Sequence, residues 1–399
     1  MSTGGNFASG ESPAVDTGPS TTGGDAVAIG TLIGDKYRVE RVLSQGAMAI
    51  VLGARHTRLD ERVAVKCIQA AVPWSSDALA RFAREAAACA RLQSEHIAKV
   101  IDVGVSPTVG PFMVMEYLEG EDLAAVVRRR GPLPVPRAAE YVMQVCEALS
   151  VAHAATITHR DLKPENLFLT RHGDLEIIKL LNFGISKAPL HGRLFGGELS
   201  VNETQSLTRT LLYLAPEQIR SPREVDHRSD LWSLGVVLFE LLTGHSAFAG
   251  DTVTQVCASV LEASPLRFAD YRCNAPSGLA EIIERCLSKD PAQRFQSAAE
   301  LANALLPYAP ARARLHAERA MSVLRAADAN AEEPLPSTRP EGRAARMRAP
   351  SLSPAPPRVA EDEDAPRTPE SHRTLLAILG LGGCLWLGLV AFIAQSARG

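Results

Sequence analysis

Two hydrophobic periods follow one another along the chain. Tyr37-Arg38-Val39-Glu40-Arg41-Val42-Leu43 alternates apolar and polar side chains, the pattern of a strand with one buried face. Ser44-Gln45-Gly46-Ala47-Met48-Ala49 then sets small residues at a turn, and Ile50-Val51-Leu52 resumes the apolar run. Arg62-Val63-Ala64-Val65-Lys66-Cys67-Ile68 predicts a third strand. Over 77–93, Leu79, Phe82, Ala83, Ala86 and Ala90 carry the spacing of an amphipathic helix. Apolar stretches at Ile97–Val103 and Phe112–Met115 complete a five-stranded amino-terminal lobe. Beyond Glu116-Tyr117-Leu118 the spacing turns helical, over 134–155, 230–242, 252–262, 277–288 and 297–306. The segment from Asp230 to Leu242 is almost continuously apolar and predicts a helix buried on all sides. A small β-rich lobe followed by a large α-helical lobe makes an α+β, bilobal chain.

The flanks read differently. Residues 1–30 are small and polar and predict a disordered arm ahead of a folded domain at 31–308. Residues 309–373 are rich in Ala, Pro, Arg and acidic side chains and predict a linker, helical to about Ala327. From Leu375 to Ala394 no charge occurs, a length sufficient to cross a bilayer, so 374–395 is expected to be a transmembrane helix. Arg367, His372 and Arg373 precede this run and only Arg398 follows it, which places the folded domain on the cytoplasmic side of a single-pass protein of the cytoplasmic membrane. Residues 1–27 have no apolar signal-peptide core, and about five residues follow the span, so the pattern resembles a tail anchor without a folded ectodomain. Gly380, Cys384 and Gly388 share one face of the span and would let two copies pack as a homodimer. Small residues are also common in membrane helices for no such reason.

Composition narrows the classes. The chain has 399 residues, 46% of them apolar, and a formal net charge of −3, which gives no basic surplus for binding nucleic acid. Its 7 cysteines are scattered and form no CxxC pair, which argues against a disulfide framework or a cysteine zinc site and fits a reducing compartment.

The densest chemistry lies at His159-Arg160-Asp161-Leu162-Lys163-Pro164-Glu165-Asn166, on a loop leaving a predicted helix. A carboxylate able to take a hydroxyl proton, a nearby cation and a metal-binding amide suit phosphoryl transfer. This run resembles the catalytic loop of the bacterial, eukaryotic-like serine/threonine protein kinases. Lys163 favours the serine/threonine branch. The resemblance covers about residues 32–306 and implies a fold, cofactors and site residues.

By this resemblance Asp161 is the base that orients the substrate hydroxyl, and Lys163 steadies the transferring phosphoryl group. Lys66 holds the ATP phosphates and pairs with Glu85 on the following helix, although alone the two would make an ordinary surface pair. Met115 stands beside the adenine, and the backbone of Glu116 and Leu118 bonds its edge. Val51 and Ala64 roof the base, Leu167 floors it, and Leu43 and Gly46 also belong to the ATP site. Without nucleotide, Val51, Ala64 and Leu167 are equally good core residues. Asn166 and Asn182 hold Mg2+ or Mn2+. Arg160 meets a phosphorylated residue of the activation segment, for which Thr204, Ser206 and Thr208 are candidates or else plain polar loop residues. Thr210 contacts Asp161 and Lys163. Glu217 pairs with Arg294, and Asp230 caps the catalytic loop; these three are structural.

Three positions depart from the family pattern. The glycine-rich loop keeps only Gly46, with Ser44 and Ala49 at the outer glycine positions, which weakens backbone contact with phosphate. Asn182-Phe183-Gly184 stands where the family has Asp-Phe-Gly, and the amide keeps an oxygen but loses the charge. Arg209 replaces a flexible glycine before Thr210. The expectation is therefore a membrane-tethered serine/threonine kinase of impaired activity, with a kinase-shaped, nucleotide-binding scaffold as the alternative.

Overall fold

The alternating segments pair into one antiparallel sheet. Its strands are β1 (Leu32–Ile33), β2 (Tyr37–Gln45), β3 (Ala49–His56), β4 (Arg62–Ile68), β5 (Val100–Ser106) and β6 (Gly110–Glu116), in the order β1-β2-β3-β4-β6-β5. The computed structural model describes residues 27–46, 49–68, 76–183, 201–221, 225–272 and 275–332. The sheet has six strands rather than the expected five, because β1, too short to display a period, pairs with Tyr37 and Arg38 at the edge. Alternation in β2 buries Tyr37 and Val39 but leaves Val42 and Leu43 exposed, since its register with β3 shifts after Val39 and again after Val42.

Helix α1 (Ser76–Cys89) ends earlier than its apolar spacing suggested and lays Phe82 and Ala86 against Ile68, Met113 and Met115. After β7 (Gly120–Asp122) and α2 (Leu123–Arg130) comes α3 (Val135–Ala154), which leads through the catalytic loop to β8 (Leu167–His172) and β9 (Leu175–Leu180). Strands β7, β8 and β9 form a second, three-stranded sheet, of which β7, 3 residues long, is too short to show a period. Then follow α4 (Val201–Leu211), α5 (Pro216–Arg220), α6 (Arg228–Thr243), α7 (Val253–Glu262), α8 (Phe268–Tyr271), α9 (Ser277–Cys286), α10 (Ala298–Leu305) and α11 (Arg314–Glu332). Helix α6 is buried almost throughout, as its composition required, and stops at Gly244, whose φ of 76° is the left-handed value that closes a helix. Trp232, Phe239, Tyr141 and Leu149 sit at the centre of the large core.

The folded body continues past residue 308, into the segment whose composition predicts a linker. Helix α11 packs along α3 and α10 and buries Ala313, Ala317 and Ala320 in its approach and first turns. Small side chains allow that close packing, and the same residues read as low-complexity linker in a linear scan. Residues 1–26 and 333–399, with the apolar run 375–394 and Gly380, Cys384 and Gly388, lie outside the described residues. Among the described residues, no helix is long and apolar enough to cross a membrane.

Candidate active site

The catalytic loop is held from below by one buried carboxylate. Asp230, in the first turn of α6, accepts bonds from the backbone amides of His159 and Arg160, both at 2.8 Å, and lies 2.9 Å from His153 Nε2. Burial alone would raise its pKa, but these bonds and the nearby histidines hold the carboxyl below the usual range. The clamp sustains Arg160 at a φ of 64°, a conformation that a side chain of this kind avoids. His159, itself buried, meets the Leu181 carbonyl at 2.8 Å and packs its ring on Phe183. The loop and the segment carrying Asn182 are thus tied together.

Above the clamp the expected reactive groups meet. Lys163 Nζ lies 3.5 Å from Asp161 Oδ1 and donates to Thr210 Oγ1 at 3.2 Å. Asn166 Nδ2 donates to the Asp161 carbonyl at 2.6 Å and to its Oδ2 at 3.1 Å, which fixes the carboxylate's orientation. The Asp161 side chain keeps 26% of its surface, so it stays open to a substrate hydroxyl.

The nucleotide side is built by register. Val51 faces Lys66, and Ala64 and Lys66 face Met115 and Met113, so these side chains share one face of the sheet. Leu43 is exposed at the end of β2, and Gly46 donates its amide to the Ala49 carbonyl, 2.9 Å away, at the mouth of the turn. Leu167 is fully buried beneath, and Glu116 and Leu118 are half-buried where the chain passes between lobes. An apolar pocket behind Lys66 is lined by Phe82, Met113, Met115 and Phe183.

Lys66 does not make the expected pair with Glu85 among the described ion pairs. Its amine donates instead to Asn182 Oδ1 at 3.0 Å, while Glu85 is exposed on α1 with contacts of its own. A half-buried ammonium needs an acceptor, and among the described residues the Asn182 amide oxygen supplies it. Burial draws the Lys66 pKa down to about 8; Asp161 opposes that drop and Lys163 adds to it. Asn182 Nδ2 in turn donates to Asn166 Oδ1 at 3.0 Å. Lys66, Asn182, Asn166 and Asp161 therefore form one continuous hydrogen-bonded chain.

That chain bears on the divalent ion. The two residues expected to hold it supply neutral amide oxygens, and both oxygens already accept hydrogen bonds, one of them from a cation. Mg2+ prefers carboxylate and phosphate oxygens. The donors of this chain are a poor fit for the ion unless nucleotide phosphates complete the set.

The activation segment departs from the expected loop. Thr204, Ser206 and Thr208 lie on α4, and Thr208 Oγ1 donates to the Thr204 carbonyl at 2.7 Å within that helix. Arg209, whose role the sequence left open, bonds Glu165 of the catalytic loop at 2.6 Å. Glu217 and Arg294 make the expected bidentate pair at 2.7 and 2.8 Å, with Arg294 fully buried and Ser229 also donating to the carboxylate. Sequence reasoning missed the polar stripe of α3. Glu140, Gln144 and Glu147 recur on one face of an otherwise apolar helix, a spacing that signals buried partners.

A protein kinase domain family model matches residues 37–306. The serine/threonine-protein kinase pkn3 of Myxococcus xanthus is 36% identical over 281 residues, 68% of this chain and 49% of its own length. PknB of Mycobacterium leprae is 35% identical over 272 residues, 67% of this chain and 42% of its own. A probable serine/threonine-protein kinase of Clostridium perfringens is 32% identical over 273 residues, 68% of this chain and 38% of its own. The chain thus spans less than half the length of these curated relatives. Among solved structures, the PknI kinase domain of Mycobacterium tuberculosis aligns with a TM-score of 0.55 and 28% identity, covering 71% of this chain and 100% of that one.

Proposed function

The chain belongs to the protein kinase domain family, and from that membership we propose that it is a membrane-tethered serine/threonine kinase that transfers the ATP γ-phosphoryl group to protein hydroxyls at an attenuated rate. The observation that carries this reading is the meeting of Asp161, Lys163 and Thr210 beside Asn166. Asp161 accepts the hydroxyl proton and aims the oxygen, while Lys163 neutralises charge gathering on the phosphoryl oxygens. Lys66 receives the nucleotide phosphates once its amine leaves Asn182. Protein kinases use ATP with a divalent ion, which supplies charge neutralisation between the phosphates. Here the amide at Asn182 makes that contribution weak, and a loss of about 3–5 kcal/mol in the transition state slows transfer about 10²–10⁴-fold. The apolar run 375–394 supports the tether, with the kinase domain in the cytoplasm.

A second reading, a nucleotide-binding scaffold without turnover, is favoured by one observation: Lys66 bonds the Asn182 oxygen rather than Glu85. Transfer of labelled phosphate from ATP, with Mg2+ and then Mn2+, separates the two. Incorporation by the natural chain above an Asp161→Asn blank, and greater incorporation by Asn182→Asp, is the expected result. Silence in the natural chain with recovery in Asn182→Asp selects the scaffold reading. Silence in all three removes the proposed catalysis altogether.

A further inference from the structure

A second polar cluster lies away from the nucleotide site, where three elements meet. His96 comes from the loop between α1 and β5, Glu147 from the buried stripe of α3, and His316 from the first turn of α11. One ligand atom from each lies within 4.8 Å of the others. Glu147 Oε2 stands 2.7 Å from His316 Nδ1 and 3.5 Å from His96 Nε2, and the two imidazole rings are edge-on with centroids 4.9 Å apart.

The chemistry of His96 sets the cluster apart from an ordinary hydrogen-bonded relay. Its Nδ1 lies 3.0 Å from the Ile178 carbonyl, an atom that can only accept, so Nδ1 carries a proton. In the neutral ring Nε2 then presents a lone pair, and that nitrogen is buried without a hydrogen-bond partner in a residue only 2% exposed. It points at a carboxylate oxygen, lone pair towards lone pair, at a distance too long for a bond. A buried polar atom left in this way is costly unless a cation, or a water that donates to both acceptors, fills the gap. Donation of one ring nitrogen to a backbone carbonyl, with the other turned to a carboxylate and a second imidazole, is the usual support of a metal-bound histidine.

We propose that His96, Glu147 and His316 bind a borderline divalent transition ion, Zn2+ foremost, and thereby fasten the carboxy-terminal helix α11 to α3 and to the loop behind α1. Two imidazoles and one carboxylate match the ligand preference of Zn2+, with a water completing four-coordination, and do not match Mg2+ or Ca2+. Ligand bonds of about 2.0–2.2 Å set tetrahedral ligand atoms about 3.4 Å apart, so the spacing of His96 and Glu147 already fits, and the half-buried His316 ring has only to back away from Glu147 Oε2 to admit the ion. Arg319 lies 3.4 Å from the other Glu147 oxygen and leaves Oε2 turned to the histidines. Its charge opposes the ion, but nearly half of its side chain is exposed and can swing into solvent.

The test uses the purified full chain in mild detergent, treated with chelator and free of nucleotide. Titration with Zn2+ by calorimetry should give one ion per chain and raise the unfolding midpoint by about 3 °C or more at saturation. Co2+ should give the intense visible absorption of a low-coordinate site, abolished by Zn2+. His316→Asn keeps a donor towards Glu147 while removing the imidazole ligand; it should weaken Zn2+ binding at least about tenfold and erase the midpoint shift. Glu147→Gln should do the same. Absence of binding by the natural chain, or binding that survives both substitutions, overturns the proposal.

Discussion

Lys66 is the residue whose state decides how nucleotide enters. Its side chain is half-buried, loss of solvent draws its pKa down to about 8, and its acceptor is a neutral amide. Below that value the amine is charged and attracts phosphate; as pH rises through it, the charge is lost. Affinity for a nonhydrolysable ATP analogue should therefore fall as pH is raised from about 7 to about 9, approaching tenfold per unit on the alkaline side. In Asn182→Asp a carboxylate beside the amine favours its charged form, so the same decline should begin at higher pH. Equilibrium binding across the pH series measures both. An identical profile in the two proteins would remove Asn182 as the group that sets the state of Lys66.

At the level of elements, Glu217 and Arg294 tie the start of α5 to the turn before α10. Arg294 is fully buried and also bonds the carbonyls of Ser288 and Arg228, at 2.9 and 3.1 Å. Arg294→Met leaves Glu217 without its cation and should cost about 3–5 kcal/mol in denaturant unfolding. Burial would raise the Glu217 pKa, but Arg294 and Ser229 hold it below the ordinary range. A carboxyl depressed in this way stabilises the fold above its unfolded-state value and ceases to do so as pH falls through the folded one. The natural chain should accordingly lose stability on acidification, and Arg294→Met should lose less between the same pH values. This pair was expected from the family resemblance, as was the meeting of Asp161, Lys163 and Asn166, because the motifs that carry the resemblance stand in the sequence. The strands β1 and β7 were not, being too short to show a period. The helical state of Thr204 to Thr208 was hidden too, since polar residues followed by Arg209 read as loop until α4 finds a surface to pack against. The Lys66–Asn182 bond lay beyond sequence altogether, because it depends on where α1 carries Glu85.

For the molecule as a whole, the kinase body is completed by residues that a family boundary at 306 leaves out. Arg312 makes two bonds of 2.6 Å to Glu140, and His316 and Arg319 reach Glu147. Ending the chain at 310 would strand both carboxylates of α3 and uncover the faces of α3 and α10 on which α11 packs, whereas ending it at 335 would keep the carboxylates paired and the faces covered. The shorter protein should lose at least about 3 kcal/mol of unfolding free energy relative to the longer one. Equal stability of the two would make α11 an ornament of the surface. If 375–394 is a span, the full chain should sediment with membranes after a carbonate wash and should be released when that segment is deleted.

The backbone at Asn182 has a consequence outside chemistry. Its φ of 59° belongs to a region that asparagine and aspartate tolerate better than other side chains bearing a Cβ. In the genetic code, aspartate and asparagine triplets differ only in their first base. A point mutation can therefore pass between the charged and the neutral side chain while the main chain keeps its path. On the proposed reading of Asn182, selection can quieten or reawaken the catalytic centre in one step, without the compensating changes that a misfolded intermediate would demand. If Asn182→Asp raises phosphate transfer as proposed, a lineage carrying this chain holds its activity as a reversible trait.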